Sequence, residues 1–200
     1  MKNLLLGLLC LFNVSLVSAQ TINFDDLAGD MSPAPEGYMG LSWNSSNLTG
    51  VIDANPYRVP GVDYTGIQNN VLFNAFGYQA ANVTVISPTN GETFDFLSGY
   101  WSAGLSGSAD ISFEGYVNHQ LVFTSATYNL TGTAVTLVSL NWAGLDSLRI
   151  YSSPSIWIAD NLEVNIQHSP SPVPEVETYG MLVAGLGMIA TIIRRRKITN

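Results

Sequence analysis

Few residues in this chain have the chemistry to act on another molecule. Glu114 and Tyr116 stand two apart in "SADISFEGYVNHQ", where Ile111, Phe113 and Gly115 alternate with Ser112, Glu114 and Tyr116. In a strand that alternation buries one set and leaves the other wet, so a carboxylate and a phenol share a solvated face. Such a pair suits a saccharide, whose apolar ring faces pack on aromatic rings while carboxylates and amides take its hydroxyls. Tyr100, Trp101, Trp142 and Trp157 are further aromatic candidates, with Asp95 and Asn118 as polar neighbours along the chain. Each large aromatic also competes for a place in the core, where such side chains are more often found.

Other chemistries find less support. Glycoside hydrolysis needs two carboxyls facing one another about 5–10 Å apart. Glu92, Asp110 and Glu114 are available, but no clustered acidic motif gathers them. A Ser-His-Asp triad would have to use His119 or His168, and no Gly-x-Ser-x-Gly elbow accompanies either. Zinc or copper would want clustered histidine or cysteine. His119 is expected at a hairpin tip and His168 in a linker, while Cys10 is the only cysteine and lies in the leading apolar run. The chain is therefore expected to have no catalytic residues and no transition metal.

The elements that must carry these residues read as strands. Short apolar or alternating runs, separated by Gly, Asn, Ser and Pro, predict strands at Thr21–Leu27, Gly40–Asn44, Asn70–Phe76, Ala81–Ser87, Thr93–Ala103 and Ala109–Asn118. Others are expected at Gln120–Thr127, Ala134–Trp142, Ser147–Tyr151 and Ile156–Ile166. Val117–Gln120 reads as a hairpin tip and Ala143–Asp146 as a turn. No stretch between residues 20 and 168 has helical periodicity, so the expected fold is all-β, an antiparallel β-sandwich of one domain. That domain holds two arginines, Arg58 and Arg149, against thirteen carboxylates. A nucleic-acid partner is excluded on that charge, because affinity for phosphates rests on Lys and Arg.

The two ends concern location. Lys2 precedes an apolar run from Leu4 to Val17, and Val17-Ser18-Ala19 offers small residues to a signal peptidase, so residues 1–19 are expected to be an N-terminal signal helix handled by the export machinery. Residues 169–178 begin with Ser-Pro-Ser-Pro-Val-Pro, an extended linker. Residues 179–200 open with an uncharged apolar run, Tyr179 to Ile193, which as a helix would rise about 22 Å. This is a single C-terminal transmembrane helix, short for the roughly 30 Å hydrocarbon core but able to insert. Arg194, Arg195, Arg196 and Lys197 follow it and place that end on the cytoplasmic side.

The order Val173-Pro174-Glu175, Thr178-Tyr179, apolar helix, basic cluster resembles the PEP-CTERM sorting signal of Gram-negative bacteria. The resemblance covers about 25 residues, and the family's Pro-Glu-Pro reads Pro174-Glu175-Val176 here. It implies an exosortase-type sorting enzyme as partner, a membrane anchorage that is transient, and a destination at the cell surface or outside the cell. Residues 93–116, together with "NFDDL" and "WIADNLEVN", resemble the β-sandwich passengers that travel ahead of this signal, which are jelly-roll-like. In such modules the first and last strands lie side by side and share a structural calcium. That likeness implies Asp25, Asp26 and Asp160 as calcium ligands, against a role in turns and strand ends; no other cofactor is expected.

The expectation is thus an exported, non-enzymatic surface or extracellular-matrix protein. The alternatives are a carbohydrate-binding module for exopolysaccharide, with Glu114 and Tyr116 in its site, and a permanently anchored type I membrane protein.

Overall fold

A computed structural model describes residues 19–43, 49–75, 83–104 and 107–167. The linker, the C-terminal helix, the sorting motif, His168 and all but the last residue of the expected signal lie outside the described residues.

Among the described residues, thirteen strands make two antiparallel sheets. They are β1 Gln20–Ile22, β2 Asp30–Pro33, β3 Leu41–Ser42, β4 Gly50–Asp53, β5 Asn70–Phe73, β6 Val83–Pro88 and β7 Thr93–Ala103. Then follow β8 Ser108–Val117, β9 Gln120–Thr124, β10 Tyr128–Thr131, β11 Thr136–Leu145, β12 Ser147–Ser152 and β13 Trp157–Gln167. The first sheet runs β11-β7-β13-β5-β4-β2, with β1 also on β13; the second runs β10-β8-β12-β6-β3, with β9 also on β8. Between them lies one core, to which β7 gives Phe94, Phe96 and Trp101, β8 gives Ile111 and Phe113, and β12 gives Leu148 and Ile150. Phe113 meets Phe96 at 6.4 Å between ring centroids and Trp101, edge-on, at 5.2 Å, so aromatic rings hold the sheets together across the sandwich.

The long strands keep facing the core only because they bulge. In β13, Trp157 and Ala159 point inward, then Leu162 and Val164 do. The parity changes where the register slips between Asp160 and Glu163, at Asn161 with φ 47°. An added residue restores burial that a regular strand would reverse. β11 is bulged twice, and its strand continues to Leu145 through Gly144 at φ 69°. The turn expected at Ala143–Asp146 is therefore mostly strand. The hairpin at Val117–Gln120 stands as expected: Asn118 and His119 both take positive φ, the two-residue form that matches strand twist.

The outer face of the first sheet is partly covered. Ala54, Ile67 and Val71 form a second small core with Ile52, Tyr100, Val135 and Ile158, beneath the segment that joins β4 to β5. That segment is pinned by backbone: Asn161 Nδ2 donates to Gly66 O at 3.0 Å, and Gly66, at φ 92°, lies flat against the Tyr100 ring.

Candidate saccharide-binding face

The outer face of the second sheet brings Glu114 and Tyr116 together as the alternation predicts. Ile111, Phe113 and Gly115 turn inward, and Tyr116 Oη donates to Glu114 Oε2 at 2.8 Å. The antiparallel pairing of β8 with β12 sets Arg149 opposite Glu114, Ser147 opposite Tyr116 and Tyr151 opposite Ser112. Since Leu148 and Ile150 are core residues, Arg149 and Tyr151 share the outer face. The Arg149 guanidinium sits 4.3 Å from the Tyr116 ring centroid. Two tyrosines thus stand at opposite corners of a patch, four residues along and one strand across, roughly 14 Å apart. A carboxylate and a guanidinium lie between them.

The electrostatics of this patch follow from those contacts. The hydrogen bond to Glu114 pushes the Tyr116 hydroxyl up to about 12, helped by desolvation and the Glu114 charge and opposed by Arg149. The phenol therefore stays protonated and donating across the ordinary pH range. A hydrogen bond with Tyr151 raises Arg149, which stays charged. Ring and guanidinium orient one another before any ligand arrives, so less freedom is lost on binding. Arg149 and Tyr151 had no signal in the linear sequence: they join the face through a register that spans 35 positions, from Glu114 to Arg149.

The remaining candidates are elsewhere. Trp101 and Trp157 are fully buried, edge-on at 5.0 Å, and so are core residues. Tyr100 lies on the first sheet beneath Gly66. Trp142 stacks on Phe123 at 5.3 Å and packs against the core. Asp95 also belongs to the first sheet, accepting from Gly144 N at 2.9 Å and Gln167 Nε2 at 2.8 Å, so it is not a neighbour of Glu114. Asn118 and His119 occupy the hairpin tip, where the His119 side chain is 93% exposed and the His119 backbone N–H donates to Asp146 Oδ2 at 2.6 Å. Asp110 accepts from Asn129 Nδ2 at 2.7 Å and is four residues from Glu114 on one strand face, roughly 13 Å away. Glu92 lies in the link between β6 and β7, outside the β8–β12 pairing that builds this face.

The calcium set expected from the likeness to carbohydrate-binding jelly rolls does not assemble. The first and last strands are adjacent, Ile22 opposite Leu162. Asp25 and Asp26, however, lie in a turn after β1, where Leu27 N donates to Phe24 O at 3.1 Å. Asp26 Oδ1 accepts from Tyr38 Oη at 2.5 Å, and Asp25 accepts from Asn70 N at 3.2 Å and Asn69 Nδ2 at 3.4 Å. Asp160 is buried and accepts from Gln68 N at 2.8 Å and Asn161 N at 2.6 Å. Protein N–H and O–H donors reach oxygens of all three carboxylates. Among the described residues no group of three or more His, Cys, Asp or Glu could hold a metal ion.

No family model matches the chain, and no curated protein does. Solved structures with a similar course include the tandem CBM22-1-CBM22-2 domain of Paenibacillus barcinonensis Xyn10C, at 13% identity and TM-score 0.44 over 82% of this chain. The chain spans 49% of that tandem domain. The K2 adhesin domain of Lys-gingipain is similar at 10% identity and TM-score 0.41, over 76% of this chain and 100% of the domain. TmCBM61, solved with β-1,4-galactotriose, is similar at 9% identity and TM-score 0.33, over 66% of this chain and 95% of its own. At these scores the likenesses carry no argument about what this chain binds.

Proposed function

We propose that this protein is an exported, non-enzymatic, jelly-roll-like module that binds a saccharide on the open face of its second sheet. The observation that carries this reading is the Glu114–Tyr116–Arg149–Tyr151 patch: two half-buried phenol rings on the outer face of the sheet, with a carboxylate bonded to one of them and a guanidinium resting over its ring. Spaced rings offer stacking to an extended oligosaccharide, and the charges take hydroxyls between them. The separation of Asp110 from Glu114 exceeds what paired glycosidase carboxyls span, which supports binding without cleavage. Delivery would follow the ends of the sequence: export by the signal at residues 1–19, a C-terminal transmembrane helix, then exosortase-type processing near Val173-Pro174-Glu175.

The test of binding is affinity electrophoresis of the full chain through gels containing exopolysaccharide from the producing cells, with Tyr116→Ala and Tyr151→Ala beside it. Each substitution is expected to weaken retardation about tenfold, the size of one lost stacking contact of ~1.4 kcal/mol. Unchanged retardation in both variants would overturn the site. Delivery is tested by intact mass of the protein from cell-bound and medium fractions. Loss of the first 19 residues and of the tail supports sorting, whereas a mass retaining residues 179–200 in every fraction means permanent anchoring.

A further inference from the structure

The first sheet carries a concavity of different character. Beyond the small second core its outer face continues into a pocket of about 300 Å³. Met31, Ile52, Phe73, Ile156 and Ile158 give it hydrocarbon walls, and Tyr57, Arg58 and Tyr64 line one side. The sequence pattern explains the cavity. In β5 the run Val71-Leu72-Phe73 is buried throughout, Leu72 in the main core while Val71 joins the second core and Phe73 the pocket. Strands apolar on both faces need cover on both, and the β4–β5 segment covers only part of this one.

Arg58 is the exception among the pocket's lining. It is one of two basic side chains in a domain with thirteen carboxylates. Its Nη2 donates to Ile67 O at 2.8 Å and its Cζ sits 5.5 Å from the Tyr64 ring centroid. Its Nε is buried without an acceptor, and among the described residues no carboxylate lies within ion-pair distance of its guanidinium, although its charge reaches Asp160. Tyr64 is itself held, its hydroxyl donating to Gly132 O at 2.7 Å, so the guanidinium rests on a fixed wall. A cation beside hydrocarbon, with donors to spare, is costly until an anion meets it. A saccharide does not fit these walls, because its hydroxyls would face hydrocarbon on most sides.

We infer that this pocket binds a medium-chain fatty carboxylate, its chain against Ile52, Phe73 and Ile158 and its head group on Arg58. The volume suits roughly eight to ten carbons, a methylene being about the size of a water's ~30 Å³ share. This second ligand is independent of the saccharide face, which lies on the other sheet.

The test uses the full chain in lipid nanodiscs with two photoreactive probes, octanoate and octanol, each bearing a diazirine at the chain end. Chymotryptic peptides are then mapped by mass spectrometry. Octanoate is expected to label peptides containing Ile52, Phe73 or Ile158, saturably and in competition with decanoate, and octanol about tenfold less. Arg58→Gln should bring octanoate down to the octanol level, while Arg58→Lys, which keeps the charge, should retain most labelling; circular dichroism of both variants reports folding. Tyr57→Ala, at a 45% exposed position on the rim, gives a second variant that does not disturb the core. It is expected to lower labelling by both probes alike. Equal labelling by the two probes in the unaltered chain, or octanoate labelling that maps elsewhere, would overturn the inference.

Discussion

At Asp160 burial and hydrogen bonding pull a single carboxyl in opposite directions. Burial pushes it from 3.8 up to about 7, the N–H groups of Gln68 and Asn161 draw it down, the Asp25 charge adds to the rise and Arg58 opposes it. The folded state therefore holds this proton more tightly than the unfolded chain does. The stabilisation that results is complete below about pH 4, falls as pH rises, and is lost above about pH 7. Melting temperatures of the protein and Asp160→Asn, compared from pH 4 to pH 8, should show the advantage of the natural residue shrinking steadily with pH; a constant difference would contradict this assignment. Gly115 poses a packing question instead. A Cβ there would meet Leu145 Cδ2 and Trp142 Cε3 at 2.9 Å and Phe123 Cδ2 at 3.1 Å. Gly115→Ala is expected to lower stability by about 1–3 kcal/mol in urea titration. Half of the candidate face was legible at this scale. Glu114 and Tyr116 declare their shared face by period-two alternation, whereas Arg149 and Tyr151 acquire meaning only when β12 pairs with β8.

Among the elements, the segment between β4 and β5 is held to the domain by Ile67 in the second core, by the Gln68 and Tyr64 hydrogen bonds and by the close approach of Gly66 to Tyr100. Alanine there would need φ 92° and would bring Cβ to 2.3 Å from Tyr100 Cδ1. Gly66→Ala should release the segment while leaving the sandwich closed. Hydrogen exchange would then show faster exchange at the Gln68 amide, which Asp160 accepts at 2.8 Å, with the β8 and β12 amides unchanged. Uniform loss of protection would mean that segment and sandwich unfold as one. The long strands were legible: β7 spans Thr93–Ala103 as predicted, and β8, β12 and β13 lie within one residue of their expected limits. β2, β4 and β10 were not. Each has four residues, β2 contains Met31 at φ 62° and ends at Pro33, and β4 begins with glycine. Such strands lack the length to show alternation and exist because a neighbour offers them a ladder. The β13 bulge likewise hid from pattern reading, because an inserted residue breaks the period that identifies a strand.

For the whole molecule, charge and topology matter most. In the domain of residues 20–168, thirteen carboxylates outnumber two arginines and repel one another, and salt screens that repulsion over a Debye length of about 10 Å at 0.1 M. Raising sodium chloride from 10 to 150 mM should raise the melting temperature by a few degrees; a fall would show that attractive pairs dominate. A chelator is expected to leave the melting curve unchanged, since N–H and O–H donors occupy Asp25, Asp26 and Asp160. The all-β class and the adjacency of first and last strands followed from composition and likeness, but the strand order did not, because pairing between distant segments leaves no local trace. That order has a temporal consequence. β13 is the last strand among the described residues and stands in the middle of its sheet, joining β7 on one side to β1 and β5 on the other. A chain synthesised from its N-terminus must wait with this sheet in two halves, and the strand that closes it arrives only after its neighbours have been made.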